Sequence, residues 1–129
     1  MRTLHAGQGV PQWSLPLTPT TIVSTAIATR DWQDVHHDRD VAQAAGSKDI
    51  FMNILTTNGL VERFVVDWAG PDTELKGIAI RLGAPAYPYD TLSFRGTVTA
   101  VSDGLATIEV VGSVSLGDHV TGTVTVAVP

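Results

Sequence analysis

Asp31 and His36 stand five positions apart in Thr29-Arg30-Asp31-Trp32-Gln33-Asp34-Val35-His36-His37-Asp38, a polar stretch without helical or strand periodicity. An ionised carboxylate and an imidazole at this spacing can hold one water between them and move protons in opposite directions. That is the chemistry of adding water to an activated double bond. The same residue types also occur in loops where the carboxylate only accepts local backbone hydrogen bonds, so the pair has to be weighed with the rest of the chain.

Its neighbours have simpler readings. On an extended segment adjacent side chains point opposite ways, so only one of His36 and His37 can face Asp31. The spacing selects His36 and leaves His37 at the surface. Asp34, Asp38 and Asp40 read as a solvated acidic face. With His36 and His37 they have the residue types of a metal site, but such clusters are common on polar loops and no metal is expected. His5 and His119 have no partners in the sequence and read as surface residues. Trp13 and Trp32 read as packing residues, Tyr87 and Tyr89 as strand-entry residues.

The elements that must position the pair belong to a single domain, residues 1–129, long enough to bury a core. Eight Lys and Arg against thirteen Asp and Glu give a net charge of -5, so no basic field attracts a nucleic-acid backbone. The chain has no cysteine, which removes disulfides, thiolate nucleophiles and cysteine metal sites together and suits a cytoplasmic protein. Met1 to Gln12 lacks the pattern of a signal peptide, and no apolar run approaches the ~20 residues that cross a bilayer, so no membrane role is expected.

Periodicity divides the chain in two. Gly7, Gly9, Pro11, Pro16 and Pro19 punctuate a tail, a short strand and a turn. Ile22, Val23, Ala26 and Ile27 then fall at helical spacing over residues 20–29, with Thr18 or Thr20 as the cap. Residues 39–45 form one or two further turns ended by Gly46. Residues 53–68 carry Ile54, Leu55, Val61, Phe64, Val65 and Trp68 mostly on one side of a helix about 24 Å long, which Asn58-Gly59 weakens and Pro71 stops. Beyond it the period changes to two, in strands around Ile78–Leu82, Leu92–Ala100, Ile108–Leu116 and Val120–Val128. Ser102-Asp103-Gly104 and Gly117-Asp118 supply the turns of an antiparallel meander. One face of that sheet is apolar and the other threonine-rich, so it needs a cover on one side, and the helix over residues 53–68 is the obvious one. The outline is α+β: a curved antiparallel sheet wrapped around a long central helix, as in the hot-dog fold.

Two motifs now carry a resemblance over nearly the whole chain. Asp31, His36, Asp38 and Ala42 stand at the distances found in MaoC-like (R)-specific enoyl-CoA hydratases, and Pro85-Ala86-Tyr87-Pro88-Tyr89-Asp90-Thr91-Leu92 is similar to that family's segment before a long strand. The chain departs from the family pattern in having Gln33-Asp34 for Asn-Pro, Asn53 for a glycine at the start of the central helix, and Asn58-Gly59 within it. In length and in Asp31 to Asp38 it resembles the small catalytic subunit of actinobacterial heteromeric hydratases acting on steroid side-chain CoA thioesters.

The resemblance implies reversible hydration of a trans-2-enoyl-CoA to a 3-hydroxyacyl-CoA in steroid or cholesterol degradation. It implies Asp31 as the base that activates water and His36 as its partner in orienting the water and moving protons. It places the N-terminal end of the central helix near Asn53 as the substrate-binding donor for the thioester oxygen. No cofactor is required. A second MaoC-like subunit is the implied partner, and Asn53 with Asn58-Gly59 suggests a wall relaxed for a bulky acyl group. Arg30, Lys48, Lys76, Arg81 and Arg95 are unranked candidates for the CoA phosphates. Two other readings stay open. A hot-dog thioesterase would use an acid in the central helix, where Glu62 is the only one before Asp67, and a non-catalytic half of a heteromer would have no reason to keep both Asp31 and His36.

Overall fold

Alternation of apolar and polar residues in the second half of the chain builds most of one antiparallel sheet, and the computed structural model describes all residues, 1–129. In chain order the elements are β1 (Gly9–Pro16), α1 (Pro19–Ala28), a 3-10 turn (Asp34–His36), α2 (Arg39–Ala44), α3 (Ile54–Ala69), β2 (Leu75–Leu82), β3 (Thr91–Ser102), β4 (Leu105–Val114) and β5 (Gly117–Ala127). The strands lie in the order β1-β3-β4-β5-β2, every pair antiparallel. The expected meander is β3-β4-β5. The short N-terminal strand forms one edge on β3, and β2 forms the other on β5.

The expected helices form at the expected places, each for a local reason. Thr18 caps α1 by accepting from the Thr21 N–H at 3.0 Å. Asn53 caps α3, which runs unbroken through Asn58-Gly59. The glycine therefore does not interrupt the helix, because tertiary packing of its apolar face outweighs a propensity cost of about 1 kcal/mol. The helix ends at Gly70, whose φ of 125° a side chain would resist, one residue before Pro71 acts.

Val61, Phe64 and Val65 of α3 face the sheet, where Phe64 stacks on Phe94 of β3 with ring centroids 5.5 Å apart. Trp13 of β1 stacks on Phe94 at 5.6 Å. Phe94 is wholly buried, and removing such a ring from water contributes roughly 2–3 kcal/mol. Leu92, Val98, Ile108, Val110, Val120 and Val124 complete the apolar face.

Three local expectations are corrected. The β3–β4 turn is the two-residue Asp103-Gly104, both at positive φ as a type I′ hairpin requires, but the β4–β5 turn is Ser115-Leu116, with Gly117 already in β5. Trp32 is 64% exposed rather than packed. His119 is not a surface residue: it is 3% exposed. Ser113 pairs with Asp118 and Gly112 with Val120, so His119 is the extra residue of a β-bulge and turns inward beside an inward-facing neighbour, against the alternation.

Candidate active site

The end of α1 places Asp31. The Arg30 N–H donates to the Ile27 carbonyl at 3.0 Å and the Asp31 N–H to the Ala26 carbonyl at 2.9 Å, the paired bonds of a Schellman motif. That motif needs a left-handed residue, and Arg30 supplies it at φ 56° without being glycine. Strain of roughly 1–2 kcal/mol is thus held next to Asp31.

Asp31 then bends the chain back on itself. Its Oδ1 accepts from the Gln33 N–H at 3.3 Å, and the 3-10 turn that follows carries His36 round to face it. The segment is therefore turned, not extended. His36 still faces inward and His37 outward, the latter with its Nε2 3.5 Å from Asp34 Oδ1.

His36 Nε2 lies 3.5 Å from Asp31 Oδ2, with side-chain exposures of 8% and 17%. On the far side of the ring, Nδ1 donates to the Phe51 carbonyl at 2.7 Å, and the Phe51 ring meets the imidazole edge-on at 4.9 Å. A carbonyl only accepts, so Nδ1 carries a proton and Nε2 is the ring nitrogen turned toward Asp31. Asp31 Oδ2 also accepts from the Asn53 amide at 3.2 Å. Partial burial pushes the Asp31 pKa up, but the Asn53 and Gln33 hydrogen bonds and the neighbouring His36 together bring it below the ordinary aspartate value. The pair thus sets a carboxylate that stays readily ionised beside an imidazole nitrogen, close enough for one water to bridge the two.

Other motif residues hold this arrangement in place. Asp38 Oδ1 caps α2 by accepting from the Val41 N–H at 3.2 Å, and Ala42 is wholly buried. In the second motif, the Ala86 carbonyl accepts from the Met52 N–H at 3.0 Å, which fixes the strand entry against the segment bearing Phe51. Asp90 accepts from Ser115 through both its N–H and its hydroxyl. Tyr89 is held at φ 70° and is 84% exposed, while Tyr87 is partly buried with its hydroxyl at the Lys48 N–H.

Asn53 is 1% exposed and its side chain is taken up by protein groups, so any donor for a ligand at this end of α3 is backbone. The N–H groups of Ile54 and Leu55 have no partner within the helix. Around them the surface is apolar: Ile27, Trp32, Ile54 and Leu55 are 47%, 64%, 51% and 51% exposed. None of the five cavities of the chain is lined by Asp31 or His36. The pair itself is mostly buried, 8% and 17% exposed, beside these exposed apolar side chains.

The largest cavity, about 530 Å³, lies along the chain just before Phe51 and is lined by Arg39, Lys48, Asp49, Tyr87, Tyr89 and Ser115 among others. Of the five candidate cations in the sequence Lys48 alone lines it, and Arg39, outside that set, lines it as well. Glu62 is exposed on α3, nine residues after its cap Asn53.

The sequence model described as the MaoC-like domain matches residues 4–120. The chain belongs to the MaoC-like family. It is 64% identical over 118 residues to the 3-oxo-4,17-pregnadiene-20-carboxyl-CoA hydratase beta subunit of Mycobacterium tuberculosis, covering 92% of each chain. A chain of the ChsH1-ChsH2 complex from Mycobacterium tuberculosis superposes with a TM-score of 0.96 and 59% identity, over 98% of this chain and 100% of that one. The (R)-hydratase from A. caviae involved in PHA biosynthesis shares the fold, with a TM-score of 0.88 at 19% identity over the full length of both chains. The MaoC-like chain is thus a hot-dog protein in which α3 lies on the curved sheet.

Proposed function

We propose that this MaoC-like chain is the catalytic subunit of a heteromeric hydratase that adds water to a trans-2-enoyl-CoA carrying a steroid side-chain acyl group, giving the 3-hydroxyacyl-CoA. The observation that carries this is the 3.5 Å approach of His36 Nε2 to Asp31 Oδ2 beside the free N–H groups that begin α3. The bulky substrate and the second MaoC-like subunit are supported by the 64% identity to the pregnadiene carboxyl-CoA hydratase beta subunit and by the likeness to the ChsH1-ChsH2 complex.

Conjugation to the thioester makes the β-carbon electrophilic. Water held by Asp31 and His36 attacks there as Asp31 takes its proton, the C2–C3 π electrons move toward the thioester oxygen, and the first-turn N–H groups of α3 stabilise that charge. A proton passed through the pair to the α-carbon then completes the addition and restores both side chains. Water supplies every atom added and no electrons are transferred, so the addition calls for no redox cofactor. The partner subunit closes the apolar surface formed by Ile27, Trp32, Ile54 and Leu55, while Arg39 and Lys48 hold the CoA phosphates. The enzyme works in the cytoplasm, and no helix is long and apolar enough to cross a membrane.

The thioesterase reading is the less favoured one: its acid would be Glu62, which is exposed on α3 and makes no hydrogen bond or ion pair with Asp31 or His36. The test is to assay the chain alone and with a second MaoC-like subunit on steroid side-chain enoyl-CoA and crotonyl-CoA, following loss of the conjugated double bond and release of free thiol. Loss of conjugation without thiol release, abolished in Asp31→Asn with the complex still assembled, supports the hydratase. Thiol release instead supports the thioesterase, and full activity in Asp31→Asn a silent subunit. Comparable turnover of the two substrates would remove the bulky acyl group from the proposal.

A further inference from the structure

Asn53 uses its whole hydrogen-bonding capacity on three separate parts of the chain. Its amide nitrogen donates to Asp31 Oδ2 at 3.2 Å and to Thr29 Oγ1 at 2.9 Å, and its amide oxygen accepts from the Thr56 N–H at 3.3 Å and from the Thr56 hydroxyl. The orientation of the amide is forced: an N–H can only donate to it, and an ionised carboxylate can only accept. One buried side chain therefore ties the end of α1, the candidate base and the first turn of α3.

That first turn is itself anchored to the sheet. His119 Nδ1 donates to the Ala84 carbonyl at 2.7 Å, which leaves Nε2 to accept from the Thr57 hydroxyl at 2.8 Å. The bulged residue of β5 thus holds the turn that Asn53 caps.

We propose that Asn53 is the positioning residue of the site: it fixes the Asp31 carboxylate at a set distance from the α3 N–H groups, so that the water-activating group and the donors for the thioester oxygen are registered by one amide. This rests on the hydratase reading. A glycine here, as in the pattern the sequence resembles, would provide neither the cap nor the donor, and Asp31 would depend on Gln33 and His36 alone.

Two substitutions separate the donor from the cap. Asn53→Ser and Asn53→Asp both keep an oxygen able to cap Thr56, and both remove the amide donor to Asp31. Asp31 and His36 are in contact, so the acidic limb of the rate profile reports on the pair together, and a shift caused by losing the Asn53 amide falls on the member that amide touches, Asp31. In the assembled complex, with enoyl-CoA as probe, kcat is expected to fall about 10- to 100-fold with KM within about two-fold while subunit assembly is preserved, with the lost amide donors also lowering the thermal midpoint. The acidic limb is expected to move to higher pH in Asn53→Ser and further in Asn53→Asp, where two carboxylates face each other.

If wild type hydrates the substrate and Asp31→Asn does not, yet both Asn53 variants keep the wild-type kcat and acidic limb, the positioning role is overturned and the hydratase reading stands. A raised KM with unchanged kcat also overturns it, by making Asn53 a substrate contact. Failure of wild type to hydrate any enoyl-CoA would defeat the hydratase reading instead.

Discussion

The Nδ1 of His36 is 2.7 Å from the carbonyl oxygen of Phe51, and this contact decides what the opposite edge of the ring can do. With Nδ1 committed as a donor, Nε2 is the only nitrogen free for proton exchange, and it is the one 3.5 Å from Asp31.

His36→Ala is expected to lower kcat by about 10²–10⁴-fold, the range of a positioned acid–base group. His36→Asn keeps a polar group there but cannot place a nitrogen at the same reach and is expected to recover little. Stopped assays of enoyl-CoA loss, with circular dichroism to confirm folding, check this. Activity of His36→Ala within ten-fold of wild type would rule out a proton-transfer role for the ring.

Asp31 has a pKa below the ordinary value because the Asn53 amide, the Gln33 N–H and His36 outweigh the opposing effect of partial burial. A carboxylate with a depressed folded pKa adds stability above its unfolded value, and that stability is lost as pH falls through the folded value. The base therefore stays ionised through the mildly acidic range. Hydration in that range is expected to show no loss assignable to Asp31, and Asp31→Asn is expected to flatten the stability curve only below about pH 4. Acid titrations of both proteins followed by circular dichroism make the comparison.

Arg30 sits at φ 56° at the position from which Asp31 is aimed. Arg30→Gly removes the strain and is expected to stabilise the chain by about 0.5–1 kcal/mol with kcat unchanged. Arg30→Val puts a β-branched residue where it is least tolerated and is expected to cost more than about 1 kcal/mol and to reduce kcat. Thermal melts and kinetics on the two variants give the signs directly. A stabilised Arg30→Val would mean that the motif does not set Asp31.

His119 has its pKa lowered, chiefly by burial, against a smaller upward pull from its bond to Ala84. The unfolded chain then binds the proton more readily than the folded one, so stability declines as pH drops below about 6.5. His119→Leu leaves the Ala84 carbonyl without its partner and the Thr57 hydroxyl with only its long 3.4 Å bond to the Asn53 carbonyl, and is expected to cost about 1–3 kcal/mol at neutral pH. His119→Gln can donate at one end and accept at the other. It is expected to cost less and to remove that part of the pH dependence, which denaturant melts at pH 5 and pH 7.5 would reveal.

Much of the fold is legible because it is local. The alternation in β3, β4 and β5, the apolar stripe of α3, Thr18 as a cap and Asp103-Gly104 as a turn each act within a few residues, so pattern and structure coincide. Asp31 and His36 were also legible, as residue types at a spacing that one turn of chain can close.

What the sequence by itself determined is therefore the order of elements, the apolar face of the sheet and the chemistry available at residues 31 and 36. The tertiary structure decided how that chemistry is aimed: the Phe51 carbonyl 15 residues from His36, the Asn53 amide 22 from Asp31, and His119 62 residues from the Thr57 it anchors. Such contacts depend on where elements pack and on a single extra residue at a bulge, and a bulge reverses every inward or outward assignment beyond it. His119 read as a surface residue because no partner stands near it in the sequence; its partners, Thr57 and Ala84, lie 62 and 35 residues away and meet it only in the fold.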